Sequence, residues 1–453
     1  MNIVVAGCGK VGTMIISSFV EEEHNVVAIE KEPSALNEVT NIYDVMGVCG
    51  DSTDCDVLTE ARIQNCELFV AVTNSDELNM LSCFIARKMG AKHTIARIRK
   101  PEYNIKSLSF LREQLGISMA INPELLAAKE MFDILKLPSA VKIETFSGRR
   151  FEIVELLLKD NASICGESLM SIRSKMKAKF LVCVVQRGNE VYIPDGNFVL
   201  ESGDKIGLTA APTEIQKFLR AAGIDQKQAR SIMLLGGSRI AFYLAKMLET
   251  TGTTVKIVER SEKKCDDLSE NLPKAFIING DGAQQEVLVE EGLNSLDAFV
   301  SLTGMDEENI LISIFAASHN VPTVITKVNR SELAEMAAKL GLDRIISPKK
   351  IVSDSLVRYA RALENSLGSN VESLYKIMDD KAEVLEFNVR SDFKQMDVPL
   401  KDIVFKPNIL IGGIIRDRKA LIPSGNDVIK ENDKVIVVAA NQRLNDLCDI
   451  IMK

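Results

Sequence analysis

The sequence predicts an α/β protein made of two tandem copies of one module, in which a parallel-sheet domain is followed by a small α+β domain. Three observations support this fold class. Short β-branched strands alternate with helical patterns through the first 136 residues, which is typical of a parallel sheet with crossover helices. From residue 141 onward, short strands dominate and helical stretches become rare. The first pattern then starts again near residue 232.

The chain opens with a strand, a glycine-rich turn and the start of a helix. Asn2–Ala6 is apolar and β-branched, and Gly7, Gly9 and Gly12 follow at the spacing G-x-G-x-x-G. In a dinucleotide-binding unit the first glycine permits the turn, the second lets the backbone approach a pyrophosphate, and the third lets helix and strand pack closely. The amides and the dipole at the helix start favour a phosphate. We therefore predict a Rossmann-like domain.

An acidic residue stands at the end of the second predicted strand, Asn25–Ile29. Glu30 follows Gly12 by 18 positions (30 − 12 = 18), close to the ~20 expected of a carboxylate that binds a ribose. Such a carboxylate accepts hydrogen bonds from ribose hydroxyls and repels a 2′-phosphate. It favours NAD(H), or another adenosine nucleotide, over NADP(H). The competing interpretation is a solvated acidic residue at a loop start.

The other elements of the first domain alternate in the same way. Ser75 or Asp76 is predicted to cap a helix, and Pro123 suits the first turn of another. The predicted helices are Pro33–Thr40, Cys55–Ala61, Asn79–Met89 and Pro123–Leu135, and the predicted strands are Val45–Cys49, Leu68–Val72, Thr94–Ile98 and Ser118–Ile121.

The small domain is recognised by its short strands and turns. The turns are Asp195-Gly196 and Ser202-Gly203-Asp204. One helix, Thr213–Ala222, ends at Gly223. The predicted strands are Val141–Phe146, Phe151–Leu158, Phe180–Gln186, Glu190–Pro194 and Lys205–Thr209.

The second half repeats the first at a constant offset, since 236 − 7 = 229, 259 − 30 = 229 and 281 − 51 = 230. We predict domains over 1–136, 137–224, 229–365 and 366–453. In the second copy the glycine pattern has become G-x-S-x-x-A, with Ser238 and Ala241, and Lys327 replaces Arg97. We therefore expect the first copy to be the better nucleotide site. The second is expected to bind more weakly, to bind a different nucleotide, or to be structural.

Composition excludes several classes of function. The 453 residues carry a net charge of −8, and no basic block indicates nucleic acid binding. The nine cysteines lack C-x-x-C pairs, and the three histidines lack ligand-like spacing, so we predict reduced thiols and no metal site. No run approaches the ~18 apolar residues of a membrane span, and no signal peptide precedes the first strand. We expect a cytosolic chain that reaches a membrane only through a partner.

The sequence also lacks a catalytic constellation. No Tyr-x-x-x-Lys pair, no histidine set against a carboxylate, no G-x-S-x-G elbow and no Walker motif is present. We therefore predict no catalytic residues and a sensor that binds a nucleotide without consuming it. The alternative is an NAD-dependent oxidoreductase with an unrecognised site, which turnover of NADH would distinguish.

Several stretches resemble the TrkA family, the peripheral regulatory subunits of bacterial Trk potassium uptake systems. They are GCGKVG, Glu30, Gly50-Asp51, VAVTNSDELNM at Val70–Met80 and IARIR at Ile95–Arg99. Each half is similar to an RCK domain, a regulator of potassium conductance. The resemblance implies a cytosolic homotetrameric ring beneath a membrane potassium channel subunit of the TrkH/TrkG type. It also implies that NAD(H), with ATP or ADP, changes the ring's shape. Another cation transporter is the alternative partner.

The resemblance also implies which residues bind the nucleotide. Gly7 to Val11 would cradle phosphate, Thr73-Asn74 would line the nucleoside, and Arg97 would face a phosphate; the alternative for Arg97 and Arg99 is a surface charge pair. The implied set in the first copy is Gly7, Cys8, Gly9, Lys10, Val11, Gly12, Glu30, Asp51, Thr73, Asn74 and Arg97. The matching set in the second copy is Gly236, Gly237, Ser238, Arg239, Ile240, Glu259, Thr303, Gly304 and Lys327.

Two long helices, Pro123–Leu135 and Pro348–Leu363, are predicted to carry apolar residues on more than one face. Such a helix needs a second surface to bury against. We expect these helices to pair the halves with each other and with neighbouring chains. The alternative is that each helix is covered by its own domain.

Overall fold

The computed structural model describes residues 1–100, 103, 105–146, 151–160, 162–176, 178–224, 228–366, 371–444 and 446–452. The chain forms two compact units. Unit 1 joins Met1–Met131 with Arg230–Ala360, and unit 2 joins Phe132–Ala229 with Arg361–Lys453. Each unit therefore unites corresponding parts of the two repeats. The four domain boundaries given by the sequence stay a prediction.

The first sheet has six parallel strands in the order β3-β2-β1-β4-β5-β6. This is the doubly wound order that binds ligands where the strand order reverses, here between β1 and β4. Its elements are β1 Asn2–Ala6, α1 Lys10–Glu21, β2 Asn25–Glu30, α2 Pro33–Ile42, β3 Met46–Cys49, α3 Cys55–Glu60, β4 Leu68–Ala71, α4 Asp76–Met89, β5 His93–Arg97, α5 Ile105–Leu115, β6 Met119–Ile121 and α6 Pro123–Lys136.

Two differences from the prediction are larger than a shift of one or two residues at the end of an element. Helix α4 begins at Asp76 instead of Asn79, because the hydroxyl of Ser75 caps it by accepting from the Leu78 amide at 3.2 Å. Helix α5 was not predicted at all. Its apolar residues Leu108, Leu111 and Leu115 pack against the core, and their spacing of three and four was the available signal.

The first small domain is a five-stranded antiparallel sheet in the order β10-β9-β11-β8-β7. Helix α7 was not predicted, since it has seven residues and buries only Ile172. The elements are β7 Lys142–Phe146, β8 Phe151–Leu157, α7 Leu169–Lys175, β9 Phe180–Arg187, β10 Glu190–Tyr192, β11 Lys205–Ala210 and α8 Pro212–Ala221.

The second copy rebuilds both sheets, which confirms the predicted fold class. Its parallel sheet has the order β14-β13-β12-β15-β16-β17 and its antiparallel sheet the order β18-β19-β22-β20-β21. The elements are β12 Ser231–Leu235, α9 Arg239–Leu248, β13 Thr254–Glu259, α10 Glu262–Asn271, β14 Phe276–Asn279, α11 Gln285–Glu290, β15 Ala298–Ser301, α12 Asp306–Ser318, β16 Thr323–Lys327, α13 Ser331–Lys339, β17 Ile345–Ile346, α14 Pro348–Ser366, β18 Val371–Ile377, β19 Ala382–Asn388, β20 Ile409–Arg416, β21 Lys419–Leu421 and β22 Lys434–Ala440.

Within unit 1 the long helix α14 contacts the other copy. The hydroxyl of Ser353, which is almost fully buried, donates to the Met14 carbonyl at 3.4 Å. The ring of Tyr359 meets that of His93 edge-on at 6.4 Å between centroids. Helix α14 therefore buries part of its surface against the first copy, and the two halves of one chain are paired through it.

Within unit 2 the β18–β19 turn docks against the first small domain. Met378, Asp379 and Asp380 have φ angles of 52°, 54° and 67°, a left-handed conformation that costs roughly 1–2 kcal/mol per non-glycine residue. Met378 is fully buried in a cluster drawn from both copies. The Asp379 carboxylate accepts from Gln186 Nε2 at 2.9 Å and pairs with Lys205 Nζ at 3.0 Å. These contacts offset the strain of the turn.

A buried carboxylate at this joint is expected to make the stability of unit 2 depend on pH. Glu155 accepts from the Met378 amide at 3.4 Å, and burial raises the pKa of its carboxyl above the ordinary 4.5, against the opposing charges of Lys142 and Lys205 and with Asp379 adding to the rise. The pKa of Glu155 is higher in the folded than in the unfolded chain, so its protonated form stabilises the fold. This contribution to the free energy of unfolding is fully present below the unfolded pKa and is lost as the pH rises through the folded pKa.

The variant Glu155→Gln tests this sign, because it removes the charge and keeps an acceptor for the Met378 amide. We expect its melting temperature to gain a few degrees on the unchanged protein as the pH rises from about 5 to 8. Glu431→Gln, the same change at an exposed position of unit 2, is the control. Its melting temperature relative to the unchanged protein should vary little with pH. Thermal unfolding followed by circular dichroism measures both. A difference that shrinks with rising pH would contradict the assignment.

Candidate functional site

The glycine-rich loop after β1 lies at the point where the strand order reverses, between β1 and β4. Gly7 has a φ of +105°, and a Cβ there would lie 3.1 Å from the backbone of Thr73. A Cβ on Gly12 would lie 1.8 Å from the Gly7 carbonyl oxygen. Around Gly9, by contrast, no described residue beyond its own chain neighbours has an atom within 4 Å of the place a Cβ would take. Two glycines therefore build the loop, and the third leaves open the face where a ligand would lie.

The start of α1 is available to an anion. Gly9 is its N-cap, and no side chain in the described part of the chain caps the helix there. The first turn carries no acidic residue. Uncapped amides at a helix N-terminus bind phosphate through hydrogen bonds and the helix dipole. Lys10 is exposed at this end, with Val11 beside it.

Glu30 is fixed against the loop. Its Oε2 accepts from the Cys8 amide at 2.7 Å, and its Oε1 accepts from the amides of Lys31 and Glu32 at 2.8 and 3.0 Å. A carboxylate offers about four lone-pair sites, so capacity for a ribose hydroxyl remains. Burial and the charge of Glu30 raise the pKa of the Cys8 thiol to about 12, so Cys8 is a neutral, unreactive part of the loop.

The loop after β4 is held by a buried asparagine. Asn79 Oδ1 accepts from the Thr73 amide and hydroxyl at 2.8 and 2.7 Å, and its Nδ2 donates to the Arg97 carbonyl at 2.9 Å. Arg97 donates to the Thr73 carbonyl, and Arg99 Nη2 donates to that of Asn74 at 3.0 Å. The sequence-predicted residues Thr73, Asn74 and Arg97 therefore lie together.

Positive charge concentrates at this edge. Burial, together with the neighbouring charges of Arg99 and of Arg239 from the second copy, lowers the pKa of Arg97 to about 10, against the opposing charges of Glu124 and Asp76. Within the described residues, the buried Nε atoms of Arg97 and Arg99 have no hydrogen-bond partner, and neither does Glu124 Oε2. Buried donors are normally satisfied. Arg99 already pairs with Asp76 at 3.8 Å and with Glu124 at 4.0 Å, so Arg97 is the guanidinium group that a bound anion would satisfy.

Asp51 lies at the rim of the site. Its carboxylate accepts from the Thr53 amide and hydroxyl at 2.9 and 2.7 Å and pairs with Lys31 Nζ at 3.7 Å. The Thr53 hydrogen bonds hold the pKa of the Asp51 carboxyl below its ordinary value. It remains ionised and its partners are local.

The second copy repeats the frame but changes the loop. Gly236 has a φ of +96°, and Glu259 accepts from the Gly237 and Ser261 amides at 2.7 and 2.9 Å. Ser238 Oγ, however, caps α9 by accepting from the Ala241 amide at 3.3 Å. This hydroxyl occupies one of the amides that a phosphate would use.

The other residues predicted for the second copy keep their counterparts' positions. Lys327, whose pKa burial lowers, donates to the Thr303 carbonyl. Gly304 has open space around its Cβ position. Arg239 is exposed at the start of α9, and Ile240 beside it is buried.

Two bracing residues were not among the predicted site residues. Asn79 has a counterpart in Asn309, which accepts from the Thr303 amide at 2.9 Å and donates to the Lys327 carbonyl at 3.0 Å. Asp76 accepts from the Arg99 amide at 2.8 Å, as Asp306 does from Asn329 at 3.0 Å. The signal was their recurrence at an offset of 230 (306 − 76 = 230; 309 − 79 = 230).

The described residues contain no group of three or more His, Cys, Asp and Glu side chains arranged to hold a metal ion. Among the helices they form, none combines the length and the apolar character needed to cross a membrane.

The fold and its two glycine-loop sites define a tandem RCK-type module. The TrkA-N domain family matches residues 3–123 and 232–348, and the TrkA-C domain family matches residues 153–223 and 384–452. These matches span more than half of the sequence. The chain belongs to the TrkA family, whose members are regulatory subunits and not enzymes.

Two relatives illustrate the match over full length. The Trk system potassium uptake protein TrkA homolog 2 of Methanosarcina mazei is 28% identical over 455 residues, covering 99% of each chain. The Trk system potassium uptake protein TrkA of Vibrio alginolyticus is 28% identical over 446 residues, covering 98% of this chain and 96% of the relative.

Solved structures share the fold at low sequence identity. The GsuK RCK domain has a TM-score of 0.64 at 16% identity and covers 97% of this chain and 92% of its own. The GsuK channel bound to NAD gives 0.63 at 16%, covering 97% and 76%. GsuK bound to ADP gives 0.52 at 14%, covering 81% and 69%.

Proposed function

We propose that this chain is the nucleotide-sensing subunit that gates a membrane potassium uptake channel, and that its first copy binds NAD(H), with ATP or ADP as further ligands. One observation carries the proposal. The open face at Gly9, the uncapped start of α1, the fixed carboxylate of Glu30 and the unpartnered Nε of Arg97 converge on one edge of the sheet. The NAD and ADP complexes of GsuK support the choice of ligand.

Binding without turnover is the direct test. Calorimetric titration of the purified chain with NADH or ATP should show stoichiometric binding, and chromatography after prolonged incubation should recover the nucleotide unchanged. Incubation with NADH and candidate acceptors should likewise consume nothing. Sustained turnover of either nucleotide would overturn the regulator and favour the oxidoreductase.

The partner is proposed to be a membrane potassium channel subunit of the TrkH/TrkG type. The chain would lie in the cytoplasm, bound to the inner face of the membrane through that partner. Affinity capture of tagged chain from detergent-solubilised membranes, with mass spectrometry of what co-purifies, tests this. Recovery of a different cation transporter would move the chain to the alternative partner.

The first copy is proposed to be the stronger site. In the second, Ser238 holds the Ala241 amide that the Gly9 loop leaves to a ligand. The assembly is proposed to be a homotetrameric ring. A nucleotide can favour one ring shape only through different affinities for the two shapes, because equal binding would shift nothing.

Glu30 is expected to set the preference of the first copy for NADH over NADPH. A 2′-phosphate about 4 Å from its carboxylate would be repelled by roughly 4 kcal/mol at an effective dielectric of about 20. We expect NADPH to bind at least ~100-fold more weakly at this site and Glu30→Ser to narrow the gap. Glu38→Ser, at an exposed position of α2, is the control. Equal affinities in the unchanged first copy would show that Glu30 does not face the ribose.

A further inference from the structure

Two lysines at the start of α10, close to Glu259 of the second copy, have no counterpart in the first copy. Helices α2 and α10 begin at Pro33 and Glu262, so the copies align there at an offset of 229 (262 − 33 = 229). Lys263 and Lys264 then stand where the first copy has Ser34 and Ala35. Over the matching windows 30–36 and 259–265, the first copy has one Lys and two Glu, for a net charge of −1. The second has one Arg, two Lys and two Glu, for a net charge of +1.

One of these lysines faces the carboxylate expected to hold the ribose. Lys264 Nζ lies 3.9 Å from Glu259 Oε2, and 58% of the Lys264 side chain is exposed while only 8% of that of Glu259 is. The ammonium group of a largely exposed side chain therefore lies beside the buried carboxylate. A ligand group bound next to Glu259 would lie close to a positive charge.

The first copy has the opposite arrangement. The hydrogen bonds of Glu30 come from the backbone amides of residues 8, 31 and 32, and no ion pair to it is found within the described ranges. The neighbouring Lys31 pairs with Asp51 at 3.7 Å instead. A carboxylate without a cation repels a phosphate on the ribose, whereas one screened by a nearby ammonium group does not.

We propose that the second copy accepts a nucleotide whose adenosine ribose carries a 2′-phosphate, and that Lys264 is the specificity-determining residue. This inference rests on the proposed binding of nucleotides to the sheet edge. The phosphate would take the Lys264 ammonium group as its hydrogen-bonding counter-charge, while the 3′-hydroxyl would remain with Glu259. The two copies would then read different dinucleotides, the first unphosphorylated and the second phosphorylated on the ribose.

The experiment uses the full chain carrying Gly9→Glu, which is designed to silence the first copy. Calorimetric titration with NADPH and NADH compares the two ligands, and 2′,5′-ADP and 5′-AMP repeat the comparison without the nicotinamide half. Lys264→Gln is the test variant in this background. Lys263→Gln, the same change at the adjacent exposed lysine, is the matched control for net charge.

We expect NADPH to bind the second copy at least as tightly as NADH does. Lys264→Gln should weaken NADPH and 2′,5′-ADP by about ten-fold, the value of one hydrogen bond to a charged group. Lys264→Gln should change the affinities for NADH and 5′-AMP by no more than about two-fold. Lys263→Gln should change the affinities for all four ligands by no more than that. The loss on Lys264→Gln should diminish as salt is added.

The outcomes separate this inference from the proposed function. NADPH affinity that is indifferent to Lys264→Gln, or that falls together with NADH affinity, overturns the inference alone. Absence of any binding in the Gly9→Glu background, with binding in the unchanged chain, also overturns it and leaves the first site standing. Absence of binding by every nucleotide to the unchanged chain overturns the proposed function.

Discussion

Glutamate in place of Gly9 is expected to abolish nucleotide binding to the first copy while the fold keeps its stability. A Cβ on Gly9 would have open space around it among the described residues, so a side chain can start there without a clash. It does occupy the face of the loop proposed for the pyrophosphate. A carboxylate about 4 Å from a phosphate would add a repulsion of roughly 4 kcal/mol at an effective dielectric of about 20. We expect a loss of affinity of at least ~100-fold.

A neighbouring glycine provides the contrast. In Gly12→Ala the added Cβ would lie 1.8 Å from the Gly7 carbonyl oxygen, so the backbone of the loop must move. We expect this variant to lose binding and also to melt at a clearly lower temperature than Gly9→Glu. Gly9→Ala is the mild control, and we expect it to keep both its nucleotide binding and its melting temperature. Calorimetry gives the affinity and differential scanning fluorimetry the melting temperature.

Two results would contradict this account of the loop. Native affinity of Gly9→Glu for NADH would show that the phosphates do not lie at this face. A strongly lowered melting temperature of Gly9→Glu, with normal melting of Gly12→Ala, would show that the roles of the two glycines are reversed.

Aspartate at Leu81 and Leu311 together is expected to break the proposed tetramer. The two leucines are equivalent positions on α4 and α12 (311 − 81 = 230), and 47% and 66% of their surfaces are exposed. Phe110 on α5 and Leu340, the residue that follows α13, are also equivalent positions (340 − 110 = 230), and both are exposed. Corresponding apolar side chains are thus exposed in both copies, whereas α14 is already in contact within the chain. We propose that a second copy of this chain covers these faces.

The mass of the assembly tests this face directly. A tetramer has a mass of 4 × 49.9 kDa = 199.6 kDa, and light scattering at micromolar concentration should give that value for the unchanged chain. The double variant should give a smaller species, because a charge replaces an apolar contact in each interface. Ile42→Asp, at an equally exposed position on α2, is the control and should stay tetrameric.

Each part of the ring hypothesis has its own contrary result. A monomer in the unchanged chain would reject the ring, and a double variant that remains tetrameric would reject this face as its contact. Small-angle scattering with and without NADH or ATP tests the coupling of ligand to shape. A curve indifferent to every nucleotide that binds would reject that coupling.

The amino-acid sequence by itself determined the parallel sheets, the glycine loops and the tandem repeat. These features are local, because a strand, a G-x-G-x-x-G turn and an amphipathic helix each express themselves within about 20 residues. Because the pattern recurs at an offset of 229 or 230 residues, the second copy supports the prediction of each element in the first. Helix α5 was not predicted although its leucines are spaced by three and four, and helix α7 is too short to display such a period.

Only the tertiary structure decided how distant groups combine. It brought the oxygens of Glu30 onto the amide of Cys8, set Asn79 between Thr73 and Arg97, and left the Nε of Arg97 without a partner among the described residues. It also joined like parts of the two repeats into common units and held Met378 in a left-handed turn. The physical reason is that such contacts depend on packing between residues up to more than 200 positions apart, which no local pattern of the chain records.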